Sequence, residues 1–248
     1  MSTLDVRGLS KSFGGVRAVE RVSFSVAAGE RLAMIGPNGA GKTTCFNLIN
    51  GQLRPDAGEI LFEGKTLQGN APSERCRLGI GRTFQVAATF ASMTARENVQ
   101  VALLSNAGKL NSIIASVSRG EEAIQLLELT GMHEQADRPC SELAYGDLKR
   151  VELAVALAAR PRLLLMDEPT AGMAAAERES LMSLVARISS EKGISVLFTE
   201  HDMDIVFRHA DRVLVLAEGE LIAQGSPAEV RADARVRRIY LGEEVAHA

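Results

Sequence analysis

The sequence predicts an α/β fold in which a mixed sheet with an antiparallel β portion is joined to an α-helical subdomain. Three observations predict it. Short apolar runs at residues 31–35, 163–166 and 195–199 alternate with helix-like stretches at residues 43–50 and 177–190, the pattern of a parallel sheet covered on both faces. Nearer the N-terminus, residues 4–9, 22–26 and 59–62 read as strands separated by turns, with no helix between the first two, which suggests antiparallel pairing. From residue 96 to residue 159 the apolar spacing turns helical.

In chain order, Gly14-Gly15 turns the chain between the first two strands, and the strand at residues 31–35 ends in a glycine-rich loop. A helix over residues 43–50 follows, and Pro55-Asp56-Ala57-Gly58 leads into the strand at residues 59–62. Val99, Leu103 and Leu104, then Ala123, Leu126, Leu127 and Met132, recur at helical spacing, while the polar, broken stretch of residues 106–118 reads as a loop or short helix. A helix runs through residues 151–159. After the strand at residues 195–199, residues 212–217 and 221–224 form a hairpin around Glu218-Gly219.

Composition removes several classes of function. With 28 basic and 31 acidic side chains among 248 residues the net charge is −3, so a protein that coats nucleic acid is not expected. At 46% apolar and 24% charged residues the chain can bury a core and is not intrinsically disordered. The longest uncharged stretch, residues 83–95, falls short of the ~20 apolar residues of a membrane-spanning helix. Residues 1–13 lack the apolar core of a secretory signal. Cys45, Cys76 and Cys140 are odd in number and far apart, which suits neither a disulfide framework nor a C-x-x-C metal site. A cytosolic, reduced protein is the expectation.

Gly36-Pro37-Asn38-Gly39-Ala40-Gly41-Lys42-Thr43 fits G-x-x-x-x-G-K-[ST], set between a strand and a helix as that phosphate-binding loop requires. Its glycines let backbone amides converge on phosphate oxygens, and the helix beginning at Thr43 and Thr44 adds its positive dipole end. Lys42 would meet the outer phosphates, and the Thr43 hydroxyl would ligate magnesium. The strand at residues 163–166 runs into Asp167 and Glu168. Ligands in open parallel sheets bind beyond the carboxyl ends of strands, so Asp167 is placed to hold the metal through its water shell and Glu168 to polarise an attacking water. These parts together imply a nucleoside triphosphatase. No Asn-Lys-x-Asp guanine reader, arginine-rich lid or long coiled-coil insertion is present.

The remaining features resemble the ATP-binding subunits of ABC transporters, over almost the whole chain. By that resemblance Gln85, in Arg82-Thr83-Phe84-Gln85, is the glutamine that touches magnesium and senses the membrane partner. Leu143-Ala144-Tyr145-Gly146-Asp147 is the signature motif, which meets ATP held by a second subunit. His201 is the switch histidine at the terminal phosphate, and Phe13 stacks on adenine. The resemblance implies a single domain, with an ATP-binding core over residues 1–90 and 160–248 and a helical subdomain over about residues 91–159 that carries the signature. It also implies ATP and Mg2+ as cofactors and a head-to-tail dimer, homo- or heteromeric, with two sandwiched nucleotides. Two departures stand out: Ala144 lacks the signature hydroxyl, and Ala174 stands where the family carries Asp or Asn.

Having no membrane span of its own, such a subunit borrows transmembrane permease subunits, and residues 86–93 with Phe90 and Met93 are the candidate groove for a permease helix. It would sit peripherally on the cytoplasmic face of the inner membrane and meet a periplasmic solute-binding protein only indirectly. The motifs Gly81-Arg82-Thr83-Phe84-Gln85, Ala144-Tyr145-Gly146-Asp147, Glu200-His201-Asp202-Met203-Asp204 and Tyr240-Leu241-Gly242-Glu243 resemble the ATPases of branched-chain amino acid importers, whose relatives also serve urea, amide and aromatic-acid uptake. A lipopolysaccharide-export ATPase, with a similar ending, and a non-transport ABC ATPase are the alternatives. The arginines Arg231, Arg235, Arg237 and Arg238 are interrupted by Asp233 and read as a solvated helix face.

Overall fold

The computed structural model describes residues 2–83, 89–106 and 113–241. Its elements begin with strands β1 (Ser2–Phe13), β2 (Val16–Ala27) and β3 (Arg31–Ile35), helix α1 (Lys42–Asn50), strands β4 (Ala57–Phe62) and β5 (Lys65–Thr66), helix α2 (Pro72–Leu78) and strand β6 (Ile80–Thr83). Helices α3 (Ala95–Asn106), α4 (Ile113–Leu129) and α5 (Tyr145–Leu157) precede strand β7 (Leu163–Asp167), helix α6 (Ala175–Lys192) and strand β8 (Ser195–Thr199). The described chain closes with helix α7 (Met203–His209), strands β9 (Arg212–Ala217) and β10 (Glu220–Gly225), and helices α8 (Pro227–Ala232) and α9 (Ala234–Leu241). It divides into two compact units, residues 2–75 with 195–241, and residues 76–194.

In the first unit, β2, β1, β4 and β5 form an antiparallel sheet in that order, as the helix-free alternation predicts. The apolar strand β3 pairs in parallel with β8 on one side and β9 on the other, and β10 closes antiparallel against β9 through the turn at Glu218-Gly219. Parallel strands buried on both faces read as near-continuous apolar runs, and Leu32, Ala33, Met34, Ile35, Leu197, Phe198, Val213, Leu214, Val215 and Leu216 are all buried. Helix α1 buries Phe46, Leu48 and Ile49. Its far end is closed by Arg75, itself only 4% exposed. The guanidinium donates to the backbone oxygens of Leu48 (2.8 Å), Ile49 (2.6 Å), Leu67 (2.9 Å) and Asn70 (3.2 Å). A cation at a helix C-terminus meets its negative dipole end. Burial nonetheless pulls the Arg75 pKa below the usual guanidinium value.

In the second unit β6 and β7 pair in parallel. A helical core gathers Ala95, Val99 and Leu103 of α3, Ala123 and Leu127 of α4, and Val151 and Ala154 of α5. Helix α4 differs from the loop or short helix expected over residues 106–118: a single 17-residue helix starts at Ile113 and runs on to Leu129. Helix propagation from a strongly periodic segment costs little per added residue, so the periodic half downstream carries the turn before it. Residues 107–112 lie outside the described residues.

Candidate nucleotide site

The loop of residues 36–41 leaves the carboxyl end of β3 and opens α1. It is braced by its own unit. A Cβ placed on Gly41 would lie 2.3 Å from the Ala18 backbone oxygen of β2, and one on Gly36 would lie 2.3 Å from the Leu216 oxygen of β9. Gly41 also holds φ 100°, a value that side-chain-bearing residues rarely adopt. The Gly219 N–H donates to the Ala40 oxygen at 3.2 Å, so the β9–β10 turn buttresses the loop from behind. Lys42, 7% exposed, curls back so that Nζ donates to the Gly36 oxygen at 2.6 Å and the Pro37 oxygen at 3.2 Å. Its ammonium thus lies across the loop it serves. Thr43 and Thr44 occupy the first turn of α1 beside it. Cys45, one residue on, is fully buried, and burial pushes its thiol up to about 12, so it is no nucleophile.

His201 reaches the same edge of the first unit. Because Met34 of β3 pairs with Thr199 of β8, both strands end together, and His201 leaves beside the start of the loop, exposed to solvent. Its backbone N–H is 3.3 Å from Glu200 Oε2, and Asp202 caps α7 by accepting from the Asp204 and Ile205 amides. Phe13 ends β1 with 46% of its surface exposed. The Lys11 ammonium lies 5.6 Å from its ring centroid. The β2 arm of the same hairpin supplies the Ala18 oxygen against Gly41, which ties Phe13 to the loop through one pair of strands.

The second unit carries Asp167, Glu168 and Leu143–Asp147, the stretch that resembles the signature. Asp167 ends β7, and Arg82 Nη2 of the neighbouring β6 lies 3.5 Å from its Oδ2. Burial lowers the Arg82 pKa, against the raising pull of Asp167. Glu168, the next residue, holds φ 48°. A left-handed glutamate costs strain that persists where surrounding structure imposes it, often at functional sites. The Glu168 oxygen accepts from the Ala171 N–H and the Thr170 oxygen from the Met173 N–H, which shapes the turn toward α6. That turn meets the signature: a Cβ on Gly146 would touch Glu177 Oε1 at 3.4 Å and Met173 Cε at 3.5 Å. Ala144 and Ala174 are the residues preceding α5 and α6, both in extended conformation with no side-chain cap. The first-turn amides of α5 therefore lack the side-chain acceptor that a Ser there would supply. Tyr145 is 42% exposed, with Lys149 Nζ 5.5 Å from its ring centroid, and Asp147 lies in the first turn. Gln85 and Phe84 lie outside the described residues.

The Thr43 hydroxyl and the Asp167 carboxylate, each taken within its own unit, are hard oxygens of the kind magnesium takes alongside water and phosphate. Sequence reasoning missed the bracing of the loop by Ala18 and Leu216, whose contacts span long separations and leave no local pattern. It also passed over Arg75, which composition alone marks as one more surface arginine.

A glycine loop clamped between a parallel strand and a helix, with a lysine laid across it, defines a nucleotide-binding protein of the phosphate-loop class. The ABC transporter family profile matches residues 19–171, and the profile of the branched-chain amino acid ATP-binding cassette transporter matches residues 220–246. The high-affinity branched-chain amino acid transport ATP-binding protein BraF of Pseudomonas aeruginosa is 39% identical, over 97% of this chain and 98% of its own. The LivG protein of the same description from Escherichia coli K12 is 38% identical over the same shares. Among solved structures, a nucleotide-free ATP-binding cassette from an ABC transporter matches with TM-score 0.87 and 34% identity, over 98% of this chain and 100% of that one. A cassette in its ADP conformation matches with TM-score 0.86 and 33% identity over the same shares. A dimeric post-hydrolysis cassette bound to ADP and Pi matches with TM-score 0.78 and 25% identity, over 90% and 98%. The chain belongs to the ABC transporter family, as an ATP-binding cassette of the branched-chain amino acid transport group.

Proposed function

We propose that the chain hydrolyses Mg·ATP to energise a membrane importer of branched-chain amino acids or related small organic solutes. The observation that carries the reading is the braced loop of residues 36–41 with Lys42 folded across it. Preorganised amides cost no rearrangement when phosphate arrives. Lys42 exchanges its bonds to the Gly36 and Pro37 oxygens for bonds to the outer phosphates, and Phe13 offers its exposed ring to the base. His201 meets the terminal phosphate. Magnesium, when bound, neutralises charge on the phosphates, with Thr43, Asp167 and Gln85 as its protein partners. Glu168 accepts a proton from the attacking water, a contribution of ~10²–10⁴ in rate.

The uncapped N-terminus of α5 suits an anion brought by a second subunit, because four amide N–H groups are left over at any helix start. Ala144, Tyr145, Gly146 and Asp147 would close over that nucleotide, so the working unit is a head-to-tail dimer, with either a second copy or a homologous subunit. Among the described residues no helix is long and apolar enough to cross a membrane. The subunit then acts peripherally, at the cytoplasmic face of the inner membrane, through transmembrane permease subunits, and a periplasmic solute-binding protein delivers the cargo. Phe90, 56% exposed, and the half-buried Met93 belong to the described part of the surface offered to the permease, residues 89–93. The C-terminal match at residues 220–246 supports import over lipopolysaccharide export.

Calorimetric titration with Mg·ATP tests the reading. The parent chain releases heat on binding, Lys42→Ala loses affinity, and Glu168→Gln binds but turns over at a rate at least about 10²-fold lower. Parent-like turnover by Glu168→Gln would remove the assigned base.

A further inference from the structure

We infer that Asn98 is a positioning residue that joins the Phe90 segment to the segment entering α5, so that a push on Phe90 is delivered to the signature helix. The inference rests on the proposed docking of a permease at Phe90. Its support is a ladder of bonds inside the second unit. The Ser141 N–H donates to the Ala91 oxygen and the Cys140 N–H to the Met93 oxygen, both at 2.9 Å. In the other direction the Ala95 N–H donates to the Arg138 oxygen at 3.1 Å and the Arg96 N–H to the Ala136 oxygen at 2.9 Å, with Thr94 and Pro139 bridged antiparallel between them. A 3-10 turn, Cys140–Glu142, then runs through the buried Leu143 to Ala144. Three residues of chain from Ser141 to Ala144 span at most ~11 Å even when fully extended, so the ladder and the start of α5 cannot move independently by much.

Asn98 closes that ladder onto α3. It is 4% exposed. Its Oδ1 accepts from the Phe90 N–H at 2.7 Å, and its Nδ2 donates to the Phe90 oxygen at 3.1 Å and the Thr94 oxygen at 2.9 Å. Longer contacts from Nδ2 reach the Met93 oxygen at 3.4 Å and Cys140 Sγ at 3.3 Å, on the opposite arm of the ladder. Turning the amide over would set NH2 against an N–H and oxygen against two carbonyls, so the network dictates its orientation. Phe90 therefore has both backbone groups clamped while its ring stands in solvent. A floppy loop absorbs a push; a clamped one transmits it.

Capping α3 does not account for this side chain. The helix already has a reciprocal cap, in which the Thr94 N–H donates to Glu97 Oε2 at 2.8 Å and the Glu97 N–H to Thr94 Oγ1 at 3.2 Å. What Asn98 adds is the tie between Phe90 and Cys140.

The experiment compares Asn98→Asp and Phe90→Ala in the isolated chain and in vesicles containing the chain with its permease subunits and solute-binding protein. Asp keeps the acceptor for the Phe90 N–H but turns a carboxylate oxygen toward the Phe90 and Thr94 carbonyls. The expected result is an isolated Asn98→Asp chain that keeps its basal ATPase, while cargo-stimulated ATPase of the assembled transporter falls about tenfold. Stimulation retained by Asn98→Asp but lost by Phe90→Ala overturns the inference and leaves the docking reading standing. Stimulation retained by both variants removes the docking reading and the inference with it. A second measurement needs no substitution: when the permease binds, hydrogen exchange should slow at the Cys140 and Ser141 amides together with Phe90. Slowing at Phe90 without Cys140 and Ser141 overturns the inference.

Discussion

Arg75 offers the sharpest test of how the phosphate-loop helix is held. Replacing it by Met keeps much of the stem and removes the guanidinium from a cage of four backbone oxygens. Two of these keep other donors, since the Leu48 oxygen also accepts from Gly51 N–H and the Leu67 oxygen from Asn70 N–H. For the Ile49 and Asn70 oxygens the guanidinium is the donor described, at 2.6 and 3.2 Å. An acceptor left buried and unmet costs about 1–3 kcal/mol; the Ile49 oxygen bears that cost in full and the part-buried Asn70 oxygen less of it, so together they cost about 2–4, offset in part by the easier burial of a thioether. A net loss of about 3 kcal/mol corresponds to a Tm lower by about 6–12 °C for a chain of this size. Thermal unfolding followed by circular dichroism, with urea unfolding beside it, reads the loss as a lower midpoint at unchanged slope. Arg75→Lys, which keeps the charge but not the planar fork, should fall between. A Tm within about 2 °C of the parent for Arg75→Met would show that the cage is ornamental and refute the reasoning.

Ala144→Ser supplies the missing cap of α5 in a backbone already extended at φ −62° and ψ 154°. It should add about 1 kcal/mol to stability and strengthen ATP-dependent dimerisation, read by ultracentrifugation in a Glu168→Gln background; an unchanged association constant counts against the trans role. Gly41→Ala sets a methyl 2.3 Å from the Ala18 oxygen, so ATP affinity should collapse while the chain stays folded, which titration and circular dichroism decide together. The Arg235 side chain, with its backbone N–H, holds Asp233 down at about 2. A folded pKa below the unfolded value means that the pair stabilises the fold above the unfolded pKa, ~3.9, and loses that contribution as pH falls through about 2. Carbon-detected NMR of the Asp233 carboxyl should show this low midpoint, and Arg235→Ala should return it toward ~3.9.

Much of this was legible in the chain. The strands at residues 31–35, 195–199 and 212–217 have the bounds their apolar runs imply, because a strand buried on both faces announces itself as an unbroken apolar run. Strands β1 and β2 extend well beyond residues 4–9 and 22–26; their added ends mix exposed Ser12, Phe13, Val16 and Arg17 with buried Thr3 and Val19, so no clean alternation marks them. Strand β6 and helices α2 and α7 went unread for a related reason: each is short, and Gly81-Arg82-Thr83 looks like a motif before it looks like a strand. The role of Ala144 was legible as a missing hydroxyl, but not as an unfilled helix cap, which depends on where α5 begins.

The linear order of residues was enough to single out the phosphate loop and the acids at 167 and 168 as candidates, because each is a run of neighbours whose chemistry depends on spacing along one short piece of backbone, and the signature stretch followed from family resemblance. Only the tertiary structure decided what makes those pieces rigid: the Ala18 and Leu216 oxygens against Gly41 and Gly36, the carbonyl cage of Arg75, and the ladder closed by Asn98. These contacts join residues far apart in sequence through backbone groups. Every residue type carries the same backbone groups, so their partners are set by how the strands and helices pack.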